Sequence, residues 1–217
     1  MKRAILVLAT ILLAAPLFAD KLTFNVIGID CEGCAKPILD ALRGVGGVTN
    51  PTLDWKKGIA TVDVPASFDR EKIRTALTDL GFDTVFAGET HKDTEQISAE
   101  VLKTLDVETD MKGKRVDEKR VGVPNKITIV DYYAEWCGPC KVLESRLLHY
   151  MTTHPNVALR RVNVGKWNTP AAEQLTRTFY VGGIPYLRIY DANGKFKAAV
   201  KGAGRWDNVL AAIEKAQ

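Results

Sequence analysis

Cysteine is scarce in this chain of 217 residues: there are four, and each belongs to a Cys-x-x-Cys pair. That excludes a disulfide scaffold, which spreads cysteines through the chain. It also speaks against a zinc ribbon, because the pairs Cys31/Cys34 and Cys137/Cys140 lie far apart in different contexts. Histidine is equally rare, with three in all. His91 falls in a polar stretch and reads as solvated, and nothing places His149 or His154 near a thiol pair. No basic stripe with interleaved aromatics occurs, and the formal charge of +4 is mixed in sign. Nucleic acid is therefore not a partner that the composition supports. Long apolar runs are missing too, apart from one at the start. An apolar fraction of 46% still suffices for real cores, and the length suits two domains.

The one apolar run covers residues 4–15, broken in polarity only by Thr10. Lys2 and Arg3 precede it, Pro16 ends it, and Ala19 offers a small residue before Asp20. This is the pattern of a secretory signal peptide over residues 1–19. The run is short for a membrane span, which needs ~20 residues. Export to a bacterial periplasm follows as the expectation, with an uncleaved inner-membrane anchor facing the periplasm as the alternative. The exact cleavage site stays open, since Leu17 is larger than the usual residue there.

In the second half, residues 127–133 are apolar in near-continuous order, as in a strand buried on both faces. From Cys140 onward Leu143, Leu147 and Met151 recur at helical spacing. Cys137 thus stands where a strand gives way to a helix N-terminus. Unpaired backbone N–H groups and the helix dipole stabilise a thiolate there. Pro139 suits the first turn of that helix. The chemistry expected is attack by Cys137 on a substrate disulfide and resolution by Cys140. A structural disulfide is the alternative.

The run VDYYAEWCGPCK at residues 130–141 resembles the active-site segment of thioredoxins. The resemblance extends to Val181-Gly182-Gly183-Ile184-Pro185-Tyr186-Leu187, similar to the family's cis-proline loop, and to the closing strand, hairpin, strand, Gly202-Ala203-Gly204 and helix. It implies a redox-active Cys137–Cys140 disulfide and a substrate ledge at Ile184 and Pro185. It also implies a buried carboxylate, Asp131, that takes the proton of the resolving cysteine, and Trp136 as the residue flanking the nucleophile. The Gly138-Pro139 dipeptide is of the reducing type.

Residues 21–87 read as one small α/β unit. A strand at 22–27 alternates with Leu22, Phe24 and Val26 on one face. A loop at 28–33 and a helix at 35–42 follow, with Ile38, Ala41 and Leu42 inward. Strands at 48–53 and 59–64 flank a turn at 54–58. A helix opening at Phe68-Asp69 carries Ile73, Ala76 and Leu80, and a strand at 82–86 closes the unit. The order βαββαβ is the ferredoxin-like plan.

On its first loop stands Cys31-Glu32-Gly33-Cys34. The segment 28–34 and the later Gly81-Phe82 resemble the heavy-metal-associated (HMA) domain. The resemblance implies a soft metal ion gripped by Cys31 and Cys34. Ile29 replaces the family's usual methionine, a packing position. Asp30 stands where copper-type members carry a small polar residue, and an acid there is similar to the zinc-, cadmium- and lead-handling members. Asp30 is thus either an added oxygen ligand or a capping acid, and the ion is either Cu(I) or a divalent Zn/Cd-type ion. A second redox dithiol or a simple disulfide is the alternative for Cys31/Cys34.

The fold class that follows is α/β (α+β): a ferredoxin-like metal-binding domain at 20–88, then a thioredoxin-fold domain at 123–217. Residues 89–122 join them, with a helix over 94–105 and a charged, exposed loop near 111–120. The function implied is an exported protein thiol–disulfide oxidoreductase carrying a metal module. Its partners would be a protein disulfide or metalloprotein client and a membrane thiol electron donor. Membrane contact of its own follows only if the leading segment stays uncleaved. The rival reading is a metallochaperone or scavenger whose second domain serves for docking.

Overall fold

The computed structural model describes residues 19–29, 32–90, 97–202 and 206–217. Residues 1–18 of the expected signal segment, Asp30, Cys31, His91 and Ala203-Gly204 lie outside those residues, so the expectations placed on them stand outside it too.

The first unit is an antiparallel sheet with two helices. Strand β1 (Ala19–Ile27) leads through a 3-10 turn (Glu32–Cys34) to α1 (Ala35–Gly44), β2 (Thr49–Asp54), β3 (Ile59–Pro65), α2 (Glu71–Thr78) and β4 (Asp83–Phe86). The sheet order is β2-β3-β1-β4. Alternation decides the packing. Phe24 and Val26 of β1 and Ala60, Val62 and Val64 of β3 point inward, onto Ile38 and Leu42 of α1 and Ile73 and Leu77 of α2. Leu80 was read as part of the α2 face, but the helix ends at Thr78 and Leu80 is exposed. Leu77, one turn after Ile73, takes the inward place.

The second unit is a five-stranded sheet in the order β5-β7-β6-β8-β9. After the single turn α3 (Ala99–Leu102) come β5 (Asp106–Asp110), β6 (Ile127–Tyr133), α4 (Gly138–Thr153), β7 (Val157–Asn163), α5 (Pro170–Arg177), β8 (Tyr186–Tyr190), β9 (Phe196–Lys201) and α6 (Trp206–Glu214). Strands β5, β7 and β6 run parallel, β8 is antiparallel to β6, and β9 is antiparallel to β8. Every residue of β6 is buried, Thr128 and Asp131 included, as its near-continuous apolar run predicts. On one side Leu143, Leu147 and Met151 of α4 meet Ile129, Leu159, Ile189, Val209 and Ile213. On the other, Leu175 and Ala171 of α5 meet Val130, Tyr132 and the two cysteines.

Two local readings change. Of the helix read over 94–105, residues 94–96 lie outside the described residues, and the rest holds only the one turn of α3, capped by Ser98, with the Val101 and Leu102 side chains exposed. Asp106–Asp110, read as connecting chain, is the edge strand β5. Three of its five residues are acids, which hides a strand from any hydrophobic count. Its lead acid is nonetheless paired: Asp106 accepts from Lys126 Nζ and Arg160 Nη1, each at 2.8 Å. The charged loop at 111–120 is mostly exposed as read, but it is tied down at two points. Gln174 bonds both the N–H and the C=O of Val116. Glu118 accepts from Arg188, whose guanidinium lies between the rings of Phe179 and Phe196.

The two units touch. Gly28, at the end of β1, has φ +90°. A Cβ there would lie 2.7 Å from Val142 Cγ2 and 3.4 Å from the Gly138 carbonyl oxygen. Only glycine fits both the conformation and the space. Close by, Asp83 of β4 pairs with Arg146 of α4, and the side chains are only 11% and 13% exposed. A cleft lined by Arg74, Thr78, Arg146, Trp206 and Asp207 runs along the same boundary. Among the described residues, no helix is long and apolar enough to cross a membrane.

Candidate functional site

The site is built at the carboxyl end of β6. The chain leaves the strand at Tyr133, turns through Ala134, whose carbonyl accepts from Cys137 N–H at 3.0 Å, and enters α4 at Gly138. Cys137 is the N-cap, with extended backbone, and its Sγ accepts from Cys140 N–H at 3.2 Å. An N-cap sulfur receives the free N–H groups of the first turn and the positive end of the dipole, both of which favour its ionised form. Pro139 sits in that turn without loss, since its missing N–H would be unpaired there. Cys137 and Cys140 are joined by a disulfide, with 5% and 1% of their surfaces exposed. The opening to Cys137 is narrow.

Strand register brings the other candidates alongside. Asp131 of β6 pairs with Leu187 of β8, and Tyr132 with Tyr186. Pro185, just before β8, is thereby held beside the end of β6, and the Ile184–Pro185 peptide is cis. Pro185 is buried and Ile184 half-buried. Trp136 is 47% exposed, and its Nε1–H donates to the Gly165 carbonyl at 2.8 Å. Two further aromatics lie on the loops around this end, Trp167 at φ 62° and the strongly exposed Tyr180 at φ 54°.

Asp131 has no exposed surface. Its Oδ2 accepts from Arg161 Nε at 3.2 Å, while Oδ1 has no hydrogen-bond partner among the described residues. Burial pushes its carboxyl up to about 6, with the Arg161 guanidinium pulling the other way and the Glu144 carboxylate adding a smaller upward push. Arg161 also donates to Glu144 at 2.5 Å and lies 3.9 Å from the Tyr133 ring centre. Arg161 and Glu144 were missed in the sequence. A signal was there: Arg160-Arg161 interrupts the apolar strand 157–164, and a cation in a buried strand demands a partner.

In the first unit, Cys34 ends the 3-10 turn and begins α1. It is half-buried against the core of that unit and is itself disulfide-bonded. Ile29 packs on the same core, as its replacement of a packing residue implies. Two sulfurs at this spacing suit a soft cation. A sulfur held in a disulfide cannot act as a thiolate ligand, so the donor set fits a metal in its reduced form. Of the described histidines, His149 bonds the Ser145 carbonyl and His154 stacks on Tyr150.

Fold and site define a class: a ferredoxin-like unit carrying a cysteine pair on its first loop, followed by a thioredoxin-fold unit carrying a helix-capping dithiol. Comparison gives the particular domains. The family model described as thioredoxin matches residues 111–215, and the heavy-metal-associated domain matches residues 23–83. The first match falls on the second unit of the fold and the other on the first unit. Thioredoxin-1 of Caenorhabditis elegans is 35% identical over 79 residues, 36% of this chain and 64% of that protein. The chain spans between about half and two thirds of the length of such curated relatives. Among solved structures, oxidized MerP from Ralstonia metallidurans CH34 is 23% identical, covering 32% of this chain and 97% of that one at a TM-score of 0.30. Spinach chloroplast thioredoxin f is 21% identical, covering 51% and 93% at 0.40.

Proposed function

We propose that this chain is an exported thiol–disulfide oxidoreductase, reducing in direction, that carries a soft-metal-binding module. The observation that carries the reading is the Cys137 sulfur, which caps α4 and accepts the Cys140 N–H. In the reduced protein, Cys137 thiolate attacks a client disulfide and forms a mixed disulfide. Cys140 then gives its proton to the unpartnered Oδ1 of Asp131 and attacks Cys137, which releases the client as a dithiol. An Asp131 carboxyl titrating near 6 suits that transfer, because it is ionised at neutral pH yet basic enough to accept. Arg161 holds Asp131 in place. Ile184 and Pro185 form the ledge on which the client backbone lies, with Trp136 at its side.

The Gly-Pro dipeptide belongs with a couple of roughly −270 mV. Such a reductant outside the cytoplasm needs electrons, and a membrane thiol carrier is the donor that fits. Its client is a protein disulfide, with metalloprotein cysteines favoured by the presence of the metal module. Cys31 and Cys34 would hold a soft cation, with Asp30 adding an oxygen for a divalent ion; bound there, the metal is cargo for ligand exchange.

The test is reduction of insulin disulfides by the purified chain with dithiothreitol as electron source. Wild type should accelerate precipitation of the insulin chains and Cys137→Ser should not. Equal rates would leave the metal-handling role alone. Localisation is checked by fractionating cells for a shortened chain in the periplasm.

A further inference from the structure

We propose that the Cys137/Cys140 dithiol reduces the disulfide that holds Cys34 within the same chain, so that the second unit decides when the first can take a metal. The proposal rests on the reading of Cys137 as a nucleophile and names a substrate for it.

Three observations carry it. Cys34 is disulfide-bonded, and its sulfur cannot ligate a cation until that bond is opened. The loop that leads to Cys34 begins at Gly28, which lies against Gly138, the residue after Cys137. The contact is fixed by the Asp83–Arg146 pair, taken almost wholly out of solvent. The first unit therefore touches the first turns of α4, the helix that Cys137 caps.

The step balances as follows. An external dithiol reduces the Cys137–Cys140 bond. Cys137 thiolate then attacks Cys34 Sγ, and the sulfur bonded to Cys34 leaves as a thiolate and takes a proton. Cys140 gives its proton to Asp131 and attacks Cys137, which frees Cys34. Two electrons pass from the second unit to the first, which ends with two thiols while Cys137–Cys140 is a disulfide again.

The experiment follows the Cys34 thiol in the full, initially oxidised chain by timed alkylation and mass spectrometry after addition of limiting dithiothreitol. Linked modules see each other at effective concentrations in the mM range, so at micromolar protein the wild type should label Cys34 roughly tenfold or more faster than Cys137→Ala/Cys140→Ala. The wild-type rate should not depend on protein concentration. Arg146→Ala, or the milder Asp83→Asn, should slow Cys34 labelling without changing insulin reduction. Cu(I) added without oxygen should bind only after Cys34 labels as a thiol. Equal rates in the double alanine variant, or a rate proportional to protein concentration, would overturn the proposal. Insulin reduction by Cys31→Ser/Cys34→Ser keeps the two readings apart: if that variant is active while Cys34 ignores Cys137, only the intramolecular step fails.

Discussion

Asp131 shows how burial of one carboxyl sets its titration and, through it, the pH dependence of stability. Its carboxyl is raised from the usual value of 3.8 to about 6, first by burial. The folded state therefore holds the proton more tightly than the unfolded chain. Stability from this group is complete below pH ~4 and is lost as pH rises through ~6, by up to about 3 kcal/mol for a shift of this size. Urea unfolding of wild type and Asp131→Asn between pH 4 and 8 should show the wild type losing ground to the variant over that window, while the variant reduces insulin more slowly. Parallel pH profiles would contradict the assignment. Arg161 keeps Glu144 as a partner in that variant, so its charge is not stranded. Arg161→Leu removes the cation and should push the Asp131 titration higher still, as read by carboxyl NMR.

Elements differ in how openly the sequence displays them. β6 and α4 were legible because a strand buried on both faces is apolar at most of its positions, and because Leu143, Leu147 and Met151 repeat at helical spacing. The cysteine pair and the cis-proline loop were legible through their motifs. β5 was not, because its strand state comes from parallel pairing to β7 and from the partners of Asp106, neither of which is local. α3 was overread for the opposite reason: apolar residues at helical spacing found no core to cover, and the helix stops after one turn. The Arg161 network lay beyond reach in its geometry, since its members come from β6, α4 and β7. These differences predict where the fold gives way. Leu147→Ala, in the centre of α4, should cost about 2–5 kcal/mol by denaturant unfolding. Asp106→Ala leaves Arg160 with Glu108 and should cost about 1 kcal/mol or less, yet speed amide exchange along β5.

At the scale of the whole molecule, two small cores meet along α4, with Gly28 and the Asp83–Arg146 pair at the seam. Each core is complete by itself, so their association depends on few groups. Arg146→Ala takes from the nearly buried Asp83 the guanidinium it pairs with across the seam, and such losses are costly. Calorimetry should resolve one broad transition in the wild type into two in that variant; an unchanged trace would mean that the seam does not couple the units.

Trp167 and Tyr180 hold large rings on backbone turned into the left-handed region, where side chains are disfavoured. Glycine at position 180 would relieve that penalty, and Tyr180→Gly should gain about 1 kcal/mol in urea unfolding. A ring kept in such a posture, and almost fully in water, is a debt the fold carries for something outside itself. Under the function proposed above, that rim trades durability for recognition, and the most stable version of this chain would be one that has forgotten how to greet its client.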